Sequence, residues 1–102
     1  IAEGHKAALD MLMLSEPICL ILNLGTGKGT SVLELIEIFK LSTGIEIKYK
    51  FGPRRMGDPA ISLANPKEAL NYIHWQAKRT LSDICRDGWN WQTSNPKGYE
   101  DA

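Results

Sequence analysis

The chain has 102 residues, and its 12 basic and 12 acidic side chains balance to a formal charge of zero at neutral pH. That length makes one domain at most, here expected to run from residue 1 to 102, with a modest core. Balanced charge without a long run of either sign excludes nucleic-acid binding driven by a basic surface. No apolar stretch approaches a membrane span, the longest candidate, Ile18 to Leu22, being of strand length.

Residues 3–14 are rich in Ala, Leu and Met and predict a helix with a wide apolar face, buried either within this domain or against another. Ser15-Glu16-Pro17 breaks it. Residues 18–23 form a continuous apolar run, which predicts a strand covered on both faces. Ser31 followed by Glu34 has the spacing of a capping box, and Val32, Leu35, Ile36 and Phe39 place one apolar stripe on the helix that follows. Gly44 is expected to end that helix. In residues 45–51, Ile45, Ile47, Tyr49 and Phe51 alternate with charged residues, the pattern of a half-exposed strand. Residues 61–64 read as a short extended piece. Asn65-Pro66 then opens a helix with proline at its first position. The last helix is expected over residues 80–93, with Leu81, Ile84, Cys85, Gly88 and Trp91 on one face and the tryptophans as core anchors.

Two cysteines make no disulfide framework. Cys19 and Cys85 fall in apolar patterns and are expected to be small buried hydrophobes in a reducing compartment. His5 and His74 are isolated in sequence, so no metal site is expected. The chain shows no charged-then-apolar leader. It opens on Ile rather than Met, and its true N-terminus is expected upstream.

Gly25-Thr26-Gly27-Lys28-Gly29, between a strand-like run and a helix, has the look of a phosphate cradle. Neither established spacing fits. A dinucleotide fingerprint would place the third glycine one residue later and an acid at the end of the following strand, where Lys50-Phe51-Gly52 stands. A Walker loop needs Ser or Thr directly after its Lys, and Gly29 stands there. A tight strand-to-helix turn is the favoured account of the glycines, and an anion held by the free amides and dipole of the following helix N-terminus is the alternative.

Arg54-Arg55-Met56-Gly57-Asp58 carries more chemistry. Two guanidiniums can each donate a planar pair of hydrogen bonds to a diphosphate, and a carboxylate three residues after Arg55 can accept from vicinal hydroxyls. A solvated polar turn is the plain alternative.

In order and spacing, Asn23 to Glu34, the arginine loop, Trp89-Asn90-Trp91-Gln92 and Asn95-Pro96-Lys97-Gly98-Tyr99 resemble the C-terminal end of the UDP-glucose (UDP-galactose) 4-epimerases, in the extended short-chain dehydrogenase group. The resemblance covers essentially the whole chain. It implies an α/β fold: a small C-terminal substrate domain of a few helices with short strands and no complete Rossmann sheet. It also implies an NAD-dependent isomerase. In that family a Tyr-x-x-x-Lys tyrosine takes the proton of the sugar 4-hydroxyl while C4 gives hydride to NAD. The 4-keto sugar then turns over and hydride returns to its other face.

Matched by position, Arg55 would clamp the UDP diphosphate, Asp58 would bind the uridine ribose, Gly57 would give the backbone room, and Val32 would pack near the nucleotide or serve simply as a helix core position. Arg54 would be structural or peripheral. Met56 stands where the family usually has Glu. Ser62 matches a position whose bulk limits the space beside C2 of the sugar, and its small side chain would admit UDP-N-acetylhexosamines besides UDP-glucose and UDP-galactose. An exposed strand residue is the equal alternative for Ser62.

Tyr49, Tyr72 and Tyr99 are not followed by Lys four residues on, and no nucleotide-binding fingerprint is present. The expectation is therefore an inactive C-terminal piece of a cytoplasmic, homodimeric epimerase. Its catalytic residues and its NAD site would lie in an absent N-terminal part, and its uncovered apolar surfaces would promote self-association. The alternatives are another nucleotide-sugar epimerase, dehydratase or decarboxylase of the same group, and a non-catalytic binding module.

Overall fold

Ser31 and Glu34 cap each other at the start of a helix: the Ser31 amide donates to the Glu34 carboxylate at 2.7 Å, and the Glu34 amide donates to Ser31 Oγ at 3.1 Å. The computed structural model, which describes residues 1–99, has four helices: α1 (Ala2–Leu14), α2 (Val32–Thr43), α3 (Lys67–Ile73) and α4 (Leu81–Ser94). Gly44 ends α2 in the left-handed region at φ 73°, its amide returning to the Lys40 carbonyl. Thr80 and Asp83 form a second capping box on α4. At α3 the N-cap is Pro66, and Asn65 Oδ1 just before it accepts from the Lys67 amide at 3.1 Å. Pro66 thus precedes the first helical residue instead of occupying it.

The chain folds as two compact units, each made of two separated segments: residues 1–29 with 59–78, and residues 30–58 with 79–102. In the first unit α1 packs on α3. Gly4 is the buried position of α1; a Cβ there would come within 2.8 Å of Leu24 Cδ1 and 3.4 Å of Trp75 Cε2. Glycine therefore sits where the helix comes closest to its neighbours. Ala69 and Ile73 are the buried residues of α3.

In the second unit α2 packs on α4. Phe39 and Trp89 meet edge to face, Cys85 is buried, and the Ser42 and Ser82 hydroxyls lie 2.8 Å apart. The inner face of α4 is Leu81, Cys85 and Trp89, at i, i+4 and i+8, with Ile84 and Gly88 along its edge. Trp91 is exposed and meets Tyr99 instead. The expected face thus lies one step round the helix from the observed one, because Phe39 meets α4 at Trp89.

No strand is present among the described residues. Residues 18–23, 45–51 and 61–64 make no backbone ladder there. A strand exists only through a partner, and alternation shows which side chains seek cover without supplying one. Covering is also one-sided in residues 18–23. Leu20 and Leu22 are half-buried while Ile18, Cys19 and Ile21 are exposed. Cys19 is therefore an exposed thiol, contrary to expectation, because it lies on the uncovered side.

Buried hydrophobic residues are few: Ala69, Ile73 and Cys85 among those described. Leu9, Leu12, Met13 and Leu14 of α1 and Val32, Leu33 and Leu35 of α2 are large apolar side chains in solvent.

Candidate functional site

The arginine loop belongs to the second unit. It turns at Met56-Gly57, and Gly57 takes φ +86°, which a turn with a left-handed third residue requires. Space is not the reason for the glycine, since a Cβ there would meet nothing within 4 Å. Both arginines converge on one residue. Arg55 Nε donates to Asp58 Oδ2 at 2.8 Å, and an Arg54 terminal nitrogen donates to the Asp58 carbonyl at 3.1 Å.

The pairing leaves chemistry in place. Arg55 uses Nε for this bond, and its side chain is 84% exposed, so its terminal nitrogens remain open to a ligand. Asp58 keeps its second carboxylate oxygen. Two guanidiniums against one carboxylate leave the loop with a net positive charge, suited to an anion. A pair this exposed contributes little to stability, on the order of 0–1 kcal/mol. Its consequence is geometric: it fixes a donor fork and an acceptor three residues apart.

The glycine loop is built as a turn. Thr26 Oγ1 accepts from the Lys28 amide at 3.2 Å. A Cβ on Gly25 would come within 3.2 Å of the Ala64 Cβ, and one on Gly27, at φ +77°, within 3.4 Å of Pro66. Beyond it, the N-terminus of α2 already holds an anion, the Glu34 carboxylate, whose pKa is lowered first by the Ser31 amide and then by the Ser31 hydroxyl. The geometry is that of a tight turn running into a helix start already capped by a carboxylate.

Arg55, Gly57 and Asp58 are thus brought together on one loop. Val32, the first residue of α2, is 73% exposed and borders an apolar groove of about 310 Å³ whose walls include Leu35, Phe39, Ile47, Cys85 and Trp89. Ser62 is exposed and belongs to the first unit. Two features had little or no sequence signal. One is the reach of Arg54 to the Asp58 carbonyl, hinted at only by the doubled arginine. The other is the Trp75 indole N–H, buried without an acceptor among the described residues. Among those residues no group of His, Cys, Asp or Glu could hold a metal ion, and no helix is long and apolar enough to cross a membrane.

No family model matches the chain. It is 44% identical over all of its 102 residues to the UDP-glucose 4-epimerase of Dictyostelium discoideum, covering 30% of that protein. Two solved structures superpose on it with TM-scores of 0.85, each covering 96% of this chain and 29% of theirs. One, 43% identical, is a UDP-glucose-4-epimerase from Stenotrophomonas maltophila with bound NAD and formylated UDP-arabinopyranose. The other, 39% identical, is the UDP-glucose 4-epimerase of Bifidobacterium longum in complex with NAD+ and UDP. The chain spans less than a third of the length of the curated relatives it matches.

Proposed function

We propose that this chain, homologous along its whole length to part of the UDP-glucose 4-epimerases, supplies the UDP grip of an NAD-dependent UDP-hexose 4-epimerase. The observation that carries this reading is the arginine loop, in which a diphosphate-matching guanidinium and a hydroxyl-accepting carboxylate are held 2.8 Å apart. Arg55 holds the diphosphate through its terminal nitrogens, Asp58 accepts from the ribose hydroxyls, and Gly57 keeps the turn open to the ligand. Val32 packs beside the nucleotide.

A grip placed on the UDP end fits an enzyme that must hold a nucleotide firmly and let a sugar reverse its face. Binding energy from the part that does not react places the part that does. The contribution of this chain is therefore binding and orientation. Its own glycine loop does not fit NAD, so we derive no redox step from its residues. A cytoplasmic setting and a homodimeric assembly belong to the same reading.

Ser62 supports an extension of it. A small side chain at the family position that crowds C2 of the sugar leaves room for an N-acetyl group. In an intact epimerase carrying this chain, Ser62→Tyr is expected to suppress turnover of UDP-N-acetylhexosamines selectively. Equal loss on UDP-glucose would sink that extension.

The reading itself is tested by titrating the chain with UDP while following amide resonances of residues 54–58 by NMR, with Arg55→Ala alongside. Localised shifts that vanish in the variant are expected. A well-dispersed spectrum that ignores UDP would overturn the assignment of the grip to this chain.

A further inference from the structure

We propose that Arg54, next to the residue assigned to the diphosphate, is the positioning residue of this loop: it holds Asp58 in register by its backbone so that Arg55 can turn to the ligand. The inference rests on the UDP-grip reading and adds a residue and a division of labour to it.

Asp58 is held at two points. Arg55 Nε holds its carboxylate at 2.8 Å, and Arg54 holds its carbonyl at 3.1 Å, closing a ring across the Met56-Gly57 turn. These two bonds respond differently to an incoming anion. Arg55 carries the charge that a diphosphate would draw on, so the bond to its own carboxylate weakens as the ligand is engaged. Arg54 donates to a neutral carbonyl, and that bond does not compete for the carboxylate.

Without Arg54, the turn would rest on Arg55 alone, and binding would loosen the very contact that places Asp58. Gly57, at φ +86° with open space around it, supplies no packing to restrain the turn. Met56 is fully exposed and supplies none either. The Arg54 bond is therefore the ligand-independent brace of the loop.

A carbonyl needs one donor, so Lys can stand in for Arg54 where Met cannot. The test compares the wild-type chain with Arg54→Met and Arg54→Lys, first by heteronuclear NOE at the Met56, Gly57 and Asp58 amides without ligand, then by UDP titration. Arg54→Met is expected to lower the NOE at those three amides and to weaken UDP binding about fivefold, the usual size of one lost hydrogen bond. Arg54→Lys is expected to restore most of both. A loop as rigid in Arg54→Met as in wild type overturns the brace, whatever UDP does. So does a loosened loop that binds UDP as tightly as before. A wild-type chain that ignores UDP, with a loop that loosens in Arg54→Met, overturns the nucleotide reading and upholds the brace.

Discussion

Phe39 and Trp89 meet edge to face, with ring centroids 5.7 Å apart and planes at 84°, and they join α2 to α4 in a unit whose buried hydrophobic side chain among the described residues is Cys85. With so few buried residues, one aromatic contact carries an outsized share of the packing. Both rings are half-buried, so Phe39→Ala is expected to remove about 2 kcal/mol, below the range for a fully buried Phe. Urea unfolding followed by far-UV circular dichroism measures it. A double-mutant cycle with Trp89→Ala should give a coupling of about 0.5–1.5 kcal/mol; purely additive losses would mean that the rings act separately.

Acid should open α4 at its first turn. The Asp83 carboxyl is lowered from 3.8 to about 2, first by the Thr80 amide, then by the Thr80 hydroxyl and by Arg86. A carboxylate whose folded pKa lies below its unfolded value stabilises the fold above the unfolded pKa and loses that effect as pH falls through the folded one. The loss should therefore fall between about pH 4 and pH 2, with Glu34 at the start of α2 shifted in the same direction. Asp83→Asn should flatten the pH dependence of the Thr80 and Asp83 amide shifts in that window. A variant with the wild-type profile would assign the acid response elsewhere.

His74 ends α3 at φ 52°, the sole non-glycine residue with positive φ among those described. Its amide and that of Trp75 both return to the Ala69 carbonyl, the arrangement that glycine usually serves. Left-handed backbone is unfavourable for a side chain by roughly 1–2 kcal/mol, partly offset in glycine by its greater unfolded freedom. His74→Gly is expected to raise the midpoint of thermal unfolding and His74→Val to lower it. The opposite order would show that the imidazole itself holds the helix end.

Gly57 gives a cleaner case, because nothing crowds it. Gly57→Ala is expected to destabilise the turn by about 1 kcal/mol and to weaken UDP binding, while Gly57→Asn, which tolerates the left-handed region, should retain more of both. Calorimetric titration with UDP separates the two. Equal behaviour of Ala and Asn would remove the backbone as the cause.

Local chemistry made much of the helical part legible. Ser31, Glu34 and Gly44 mark the ends of α2 because a capping box and a left-handed stop depend on residues within one turn. The box formed by Thr80 and Asp83 obeys the same rule and was there to be read. Legibility ended where a second body decides. The alternation of residues 45–51 implies a face to be covered, yet pairing requires a neighbour that no period reveals. Cys19 looked buried because an unbroken apolar run does not say which side is covered, and Trp91 took the place of Trp89 because the seat of Phe39 on α4 is not written in α4. In the arginine loop, residue types and spacing were plain from the chain. The convergence of both guanidiniums on Asp58 is set by the path of the turn, which residue types and spacing do not fix.

Each unit takes one stretch from the first part of the chain and one from the second, so the backbone passes from unit to unit three times. No contiguous length of polypeptide contains one whole unit without part of the other. A stop after residue 58 would leave α1 without α3 and α2 without α4, and a start at residue 30 would remove α1 while sparing the arginine loop. Neither unit can therefore be cut out or exchanged between genes as a single cassette without carrying a stretch of the other.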